Sequence, residues 1–301
     1  MGERKNGKGA VAVRQVTIAR PVEFEGKGIH SGQWSRVRLE PARSGGGIRF
    51  VRADLPGRPV IPTEPGRVVG TRRSTTLGIG EARVQTVEHL LASLAGMGVW
   101  HADVLVWGEE LPAGDGSLTT FTQMLEEAGR QEIEPDGRAV PVRSVPVPVL
   151  VEEGEATLVA LPPVHGDEGL TLRYVFLSQH RGLASQQFRF AVQPGAEDAA
   201  TFAREVAPAR TVAFLSEVEA LRREGLAMGE PGMAVLVGEE KVLTALRFPN
   251  EVARHKLADL LGDLAVLGPL AGTVIGVASG HALNQRLTQA LSSVFQGGEA
   301  E

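Results

Sequence analysis

His255 and Asp259 stand four residues apart within the stretch 250–267, and Asp263 follows four residues later. On a helix, at about 100° per residue, these three share one side while Leu257, Leu260, Leu261, Leu264 and Leu267 share the other. An imidazole and a carboxylate at i and i+4 can grip one metal ion. Catalytic zinc takes three protein ligands and keeps one position for water, so a third ligand must come from a distant part of the chain. His89 is the best candidate. Its neighbour Glu88 supplies the carboxylate that would take the proton of a metal-acidified water. A further histidine, His281, sits between Gly280 and a helix start, where it can serve as general acid or electrostatic anchor. Taken one at a time, these features have plainer readings: a solvated helix face, a capping or surface pair, and a turn histidine that caps its helix.

Composition limits what else the chain can be. Its 301 residues suffice for one large or two medium domains with a real hydrophobic core. Hydrophobic residues make up 43% and charged residues 22%, as in an ordinary soluble domain. With a net charge of -5 and 5% aromatics, neither a basic field nor a base-stacking platform is available, which argues against nucleic acid as a partner. There is no cysteine, so disulfides, thiolate metal sites and a cysteine nucleophile are excluded. Any metal must be held by histidine and carboxylate. The N-terminal residues carry charge but no apolar core of signal-peptide length. The longest uncharged stretch, 264–280, is short for a membrane span and is interrupted by Pro269. A cytoplasmic monomer without stable membrane insertion is the default expectation.

The elements that must position these groups are readable in outline. Residues 1–12 read as a flexible tail. Residues 16–18, 36–39 and 48–51 alternate with period two, as strands do. The stretch 56–73, rich in Pro, Gly and Arg, reads as an insertion or long loop. Thr86 can cap a helix with Val87, Leu90, Leu91, Leu94 and Ala95 inward, ending at Gly96 or Gly98. A strand at 102–106 and a helix from Ser117 to near Gly129 follow. The polar segment 130–145 divides an N-terminal α+β domain, 13–143, from a C-terminal one, 144–296. The second half opens with strands at 147–152, 156–161, 170–176 and 187–192, then helices at 214–224, 250–267 and 284–295. Strands first and helices later in each half indicate α+β layers in two similar domains. Residues 89–96 and 255–262 share the pattern H-x-L-A-x-L-x-G. This is either chance between two Leu/Ala-rich helices or a duplication that brings one histidine from each half to the interface.

Together the motifs resemble those of the zinc-dependent UDP-3-O-acyl-N-acetylglucosamine deacetylases of lipid A synthesis. The match is carried by Glu25-Gly26-Lys27-Gly28-Ile29-His30-Ser31-Gly32, Thr86-Val87-Glu88-His89-Leu90, Asp115-Gly116-Ser117, and Arg254-His255-Lys256 with Asp259 and Gly280-His281-Ala282-Leu283-Asn284. Phe202-Ala203-Arg204-Glu205 and Ala209-Arg210-Thr211 fit as well, and the motifs run in the family's order over about 14–296. The resemblance implies that His89, His255 and Asp259 bind zinc and that Glu88 is the general base. It implies that His281 is a cation that protonates the leaving amine, kept charged by Asp263, and that the Thr211 hydroxyl helps hold the oxyanion. Lys256 would contact the polar end of an acylated UDP-sugar. His30 would line the cleft, unless it is only a turn histidine in its glycine-rich loop. The implied fold is a β-α-α-β sandwich of two similar domains with an insertion in each. The second insertion, about 213–245, would form an acyl passage lined by Ala213, Phe214, Leu215, Val218, Leu221, Leu226 and Met228.

The chain departs from the family pattern at Val212, where an aromatic residue is usual, at 229–234, which is shortened, and at Pro112-Ala113-Gly114. None is a proposed metal ligand. Two other readings remain: a zinc deacetylase for a different acylated amine, and a catalytically silent relative that binds the nucleotide sugar. Iron(II) suits the ligand set nearly as well as zinc.

Overall fold

The computed structural model describes residues 12–42, 46–133, 140–164, 168–195, 197–230 and 232–298. The expected tail lies outside these except for Ala12, which begins a short strand, Ala12–Val13.

The fold is α+β. One sheet has the order Val22–Lys27, Trp34–Glu40, Ala102–Trp107, Ile48–Arg52, Val60–Pro62. The other has the order Val149–Glu153, Ala156–Leu161, Leu270–Val277, Leu170–Phe176, Gln186–Val192, with Arg143–Ser144 also paired to Leu270–Val277. Among these five-strand paths the order of arrival is the same. The last strand enters the middle, antiparallel to the second and parallel to the third. A parallel neighbour cannot be reached by a hairpin and needs a crossover. Helix α1 (Glu88–Gly96) precedes the central strand of the first sheet, and α5 (Glu251–Leu264) precedes that of the second.

Strand alternation decides which face turns inward. In Trp34–Glu40, Ser35, Val37 and Leu39 are buried while the intervening residues are only partly so. Helix α2 (Thr119–Ala128) lies on the first sheet against Val22–Lys27, and α5 and α6 (His281–Gly298) lie on the second. Helix α1 packs along α5, so the layers run sheet, helices, helices, sheet around one continuous apolar core. All nine residues of α1 are buried, as are twelve of the fourteen of α5. A solvated face on α5 is therefore ruled out, because His255, Asp259 and Asp263 are all inside. The closeness of the two helices depends on Gly262, where a Cβ would lie 2.1 Å from the Glu88 carbonyl oxygen.

Several local expectations need correction. The stretch 56–73 is not one loop. It holds Val60–Pro62, a 3-10 turn Pro65–Arg67 and Val68–Gly70, the last joining Thr76–Ile79 and Ala82–Gln85 in a three-stranded sheet. Of its four prolines, Pro62 falls at a strand end and Pro65 at the first position of the turn, where a missing N–H costs nothing. Thr86 does not cap α1. Its φ is +58°, and its hydroxyl donates to Glu110 Oε1 at 3.1 Å, not to the first turn. Helix α6 begins at His281, three residues before Asn284. Two short parallel strands, Val212–Phe214 and Val235–Val237, and helix α3 (Ala199–Glu205) carried too little periodicity to be found. Helix α4 (Leu215–Arg223) lies between those two strands.

Candidate metal centre and active site

The α1–α5 contact brings His89 to His255 and Asp259. One potential ligand atom from each of the three lies within 4.8 Å of the others, and all three residues are buried. Asp259 Oδ1 is 3.3 Å from His255 Nε2 and 3.6 Å from His89 Nε2. The two rings stand nearly perpendicular, with centroids 5.0 Å apart. His255 Nδ1–H donates to the Ala209 carbonyl at 3.0 Å, which fixes the tautomer and turns the Nε2 lone pair inward. Asp259 Oδ2 accepts from Lys256 Nζ at 2.7 Å, whereas Oδ1 is buried with no hydrogen-bond partner. A buried carboxylate oxygen left unpaired is costly, and a cation between the three side chains would satisfy it. Two imidazoles and one carboxylate suit a divalent ion of borderline hardness.

The electrostatics keep the donors ready. Burial works to raise the Asp259 carboxyl, but the neighbouring Lys256, His255 and His89 overcome it, so it stays ionised well below the usual carboxylate range. Burial lowers the His89 imidazole despite Asp259, favouring the neutral ligand form. Burial also works against the Lys256 ammonium, yet Asp259 and Tyr174 raise its pKa.

Beside this trio stand two buried titratable groups, Glu88 and His281. Glu88, at the first position of α1, is pushed up to about 8 by burial, with His281 pulling it down and Asp263 and Asp259 adding to the rise. A cation at the neighbouring residues would draw it down again. His281 begins α6 at the end of the strand Leu270–Val277. Burial opposes its positive charge, but Asp263 prevails and raises it to about 9. Its Nδ1–H donates to Asp263 Oδ2 at 2.8 Å, and Asn284 Nδ2–H donates to the same oxygen at 2.8 Å.

A cavity of about 670 Å³ opens next to His281, walled by second-half elements and, from the first half, by the glycine-rich loop that carries His30 and by Thr71 and Arg73. His30, Thr211, Phe214 and Lys256 all line it, as do Ala213, Leu215, Val218 and Leu221. Leu226 and Met228 do not. Met228 points outward, half exposed, while its backbone N–H donates to the His30 carbonyl at 3.0 Å. Thr211 is pinned by its backbone: its N–H donates to the Gly116 carbonyl at 3.0 Å and its carbonyl accepts from Val235 N–H at 2.7 Å. Gly116 has φ +78°, and a Cβ there would sit 1.6 Å from the Met233 carbonyl oxygen, which accounts for the glycine in Asp115-Gly116-Ser117.

Other residues serve this site without having been legible beforehand. The buried carboxylate of Glu110 accepts from the backbone N–H groups of His30 and Ser31, at 2.9 and 2.7 Å, as well as from Thr86. It therefore ties the His30 loop to the residue that leads into α1. The Tyr174 hydroxyl donates to the Ser279 carbonyl, two residues before His281. Thr75 touches both Glu88 and His281. No spacing marks any of them, because their partners are remote in sequence.

Comparison with known proteins gives the family. The family model described as UDP-3-O-acyl N-acetylglycosamine deacetylase matches residues 15–293. The chain is 40% identical to the UDP-3-O-acyl-N-acetylglucosamine deacetylase of Anaeromyxobacter sp. (strain Fw109-5), covering 91% of this chain and 87% of that relative. It is 38% identical to that of Thermosynechococcus vestitus (strain NIES-2133 / IAM M-273 / BP-1), covering 94% and 95%. It is 36% identical to that of Chlamydia muridarum (strain MoPn / Nigg), covering 94% and 96%.

Proposed function

We propose that this chain, which belongs to the UDP-3-O-acyl N-acetylglycosamine deacetylase family, hydrolyses the acetamide of an acylated UDP-N-acetylglucosamine with His89, His255 and Asp259 as its metal ligands. The enzyme class is that of a hydrolase acting on an amide, in lipid A synthesis. The proposed ion is zinc, with iron(II) compatible with the same donors. When bound, it supplies Lewis acidity that acidifies water and polarises the acetyl carbonyl.

The remaining steps belong to side chains. Glu88, as carboxylate, takes a proton from the attacking water. Thr211, on the cavity wall, offers its hydroxyl to the oxyanion of the tetrahedral intermediate. His281 holds its second proton on Nε2, since Nδ1–H is committed to Asp263, and delivers it to the leaving nitrogen. The water oxygen bonds to the acetyl carbon, the bond from that carbon to nitrogen breaks, and acetate and the free amine result. Lys256 has two further N–H donors besides the one on Asp259, and these can face the polar end of the substrate. The apolar wall from Ala213 to Leu221 accepts the acyl chain.

The observation that carries this reading is the convergence of His89 with His255 and Asp259, beside Glu88 and His281. The test is metal content measured together with acetate release from acyl-UDP-N-acetylglucosamine and from the same sugar without its chain. Near-stoichiometric metal and a marked preference for the acylated sugar are expected. A folded sample that binds no divalent ion would sink the metal assignment, and equal turnover of both sugars would sink the acyl-substrate assignment. No helix among the described residues is long and apolar enough to cross a membrane.

A further inference from the structure

We propose that Thr75 is a positioning residue for the reaction, a single buried residue that holds the base and the acid in register. It stands just ahead of the strand Thr76–Ile79 and is 2% exposed. Its backbone N–H donates to Glu88 Oε2 at 2.9 Å. Its carbonyl accepts from Val87 N–H at 3.2 Å, so one residue grips the start of α1 from both sides. Its hydroxyl donates to Asp263 Oδ1 at 2.5 Å, and the hydroxyl oxygen itself stands 3.4 Å from His281 Nδ1.

The consequence is a division of oxygens. On Glu88, Oε2 is held by Thr75, and Oε1 is the oxygen turned to His281, 3.9 Å from its Nε2. On Asp263, Oδ1 is held by the Thr75 hydroxyl, and Oδ2 is left for His281 and Asn284. Without the hydroxyl, Asp263 keeps its bonds to His281 and Asn284 on Oδ2 but loses the one that anchors Oδ1, and with it one restraint on a terminal torsion that is broad and roughly two-fold when unconstrained. Its hold on the His281 ring then loosens, and the proton on Nε2 is no longer fixed in direction. A misplacement of this kind weakens the chemical step more than binding, because Thr75 does not line the substrate cavity.

This inference rests on the deacetylase reading, and wild-type turnover in the same assay keeps the two apart. If the wild-type chain is inactive, the functional reading fails; the inference is judged on variants relative to an active wild type. Thr75→Val removes the hydroxyl at nearly constant shape, and Thr75→Ser restores it. For Thr75→Val we expect kcat to fall about 10- to 100-fold, the range for losing one well-oriented group, with KM within about twofold and metal content unchanged. Thr75→Ser should recover kcat to within about threefold of wild type. Should Thr75→Val fold poorly, Thr75→Ala and Thr75→Ser are compared instead, with the same expectation. Wild-type kcat in a folded, metal-loaded Thr75→Val or Thr75→Ala would overturn the proposal. So would equal losses in the hydroxyl-free and serine variants, since the hydroxyl would then not be the cause.

Discussion

His281 Nε2 faces Glu88 Oε1 across 3.9 Å, so two groups that must carry opposite proton states share one gap. Each favours the charged form of the other. Burial nevertheless takes Glu88 up to about 8, and Asp263 takes His281 up to about 9. The proposed reaction needs Glu88 deprotonated and His281 protonated, which sets the direction of the pH effect below.

The alkaline limb of kcat/KM belongs to His281. Activity is present while the imidazole keeps its proton and is lost as pH rises through about 9. Asp263 is the largest influence raising it, so Asp263→Asn should move that limb to lower pH by roughly 1–3 pH units. Profiles recorded on metal-loaded enzyme check this, and an unmoved limb would reassign the acid.

Glu88 is not placed as a metal ligand, so Glu88→Gln should keep its ion while losing about 10²–10⁴ in kcat, the usual share of a general base. Metal analysis and turnover on one preparation decide the point. Near-normal turnover in that variant would remove Glu88 from the mechanism.

Asp259 holds the unpaired oxygen among the three proposed ligands. Asp259→Ala should abolish stoichiometric metal binding, and chelation of the wild type should lower its melting temperature reversibly, because an ion bound only to the folded state stabilises it. If the chelator stripped the ion without lowering the melting temperature, the centre would not be coupled to folding.

Gly262→Ala tests the helix contact itself. The new methyl would meet the backbone of Glu88, which cannot turn aside, and overpacking of this kind costs about 1–3 kcal/mol. Because the displaced residue is next to His89, metal affinity should fall together with stability. Urea denaturation and a metal titration read the two losses. A loss of stability with affinity untouched would show that α1 and α5 adjust independently of the ligands.

Much of the site could be read from residue types. His255, Asp259 and Asp263 repeat at helical spacing, and adjacency singled out Glu88 and His89, so these survive any small error in helix limits. Thr75 and Glu110 escaped because their roles depend on partners 188 and 80 residues away, at Asp263 and His30. Thr86 misled for a related reason. A threonine before an apolar run looks like a cap, and only the buried Glu110 carboxylate shows what its hydroxyl is for. The strand hidden in 68–70 is short and exists only through pairing with Thr76–Ile79, which local periodicity does not reveal.

The two sheets admit their last strand in the same manner, and the helix just before each such strand carries proposed ligands: His89 on one, His255 and Asp259 on the other. Neither half can therefore own the centre; it is a joint, closed only while both are seated. On warming, slippage between halves should release the ion before either sheet melts, making metal loss the earliest sign of heat damage.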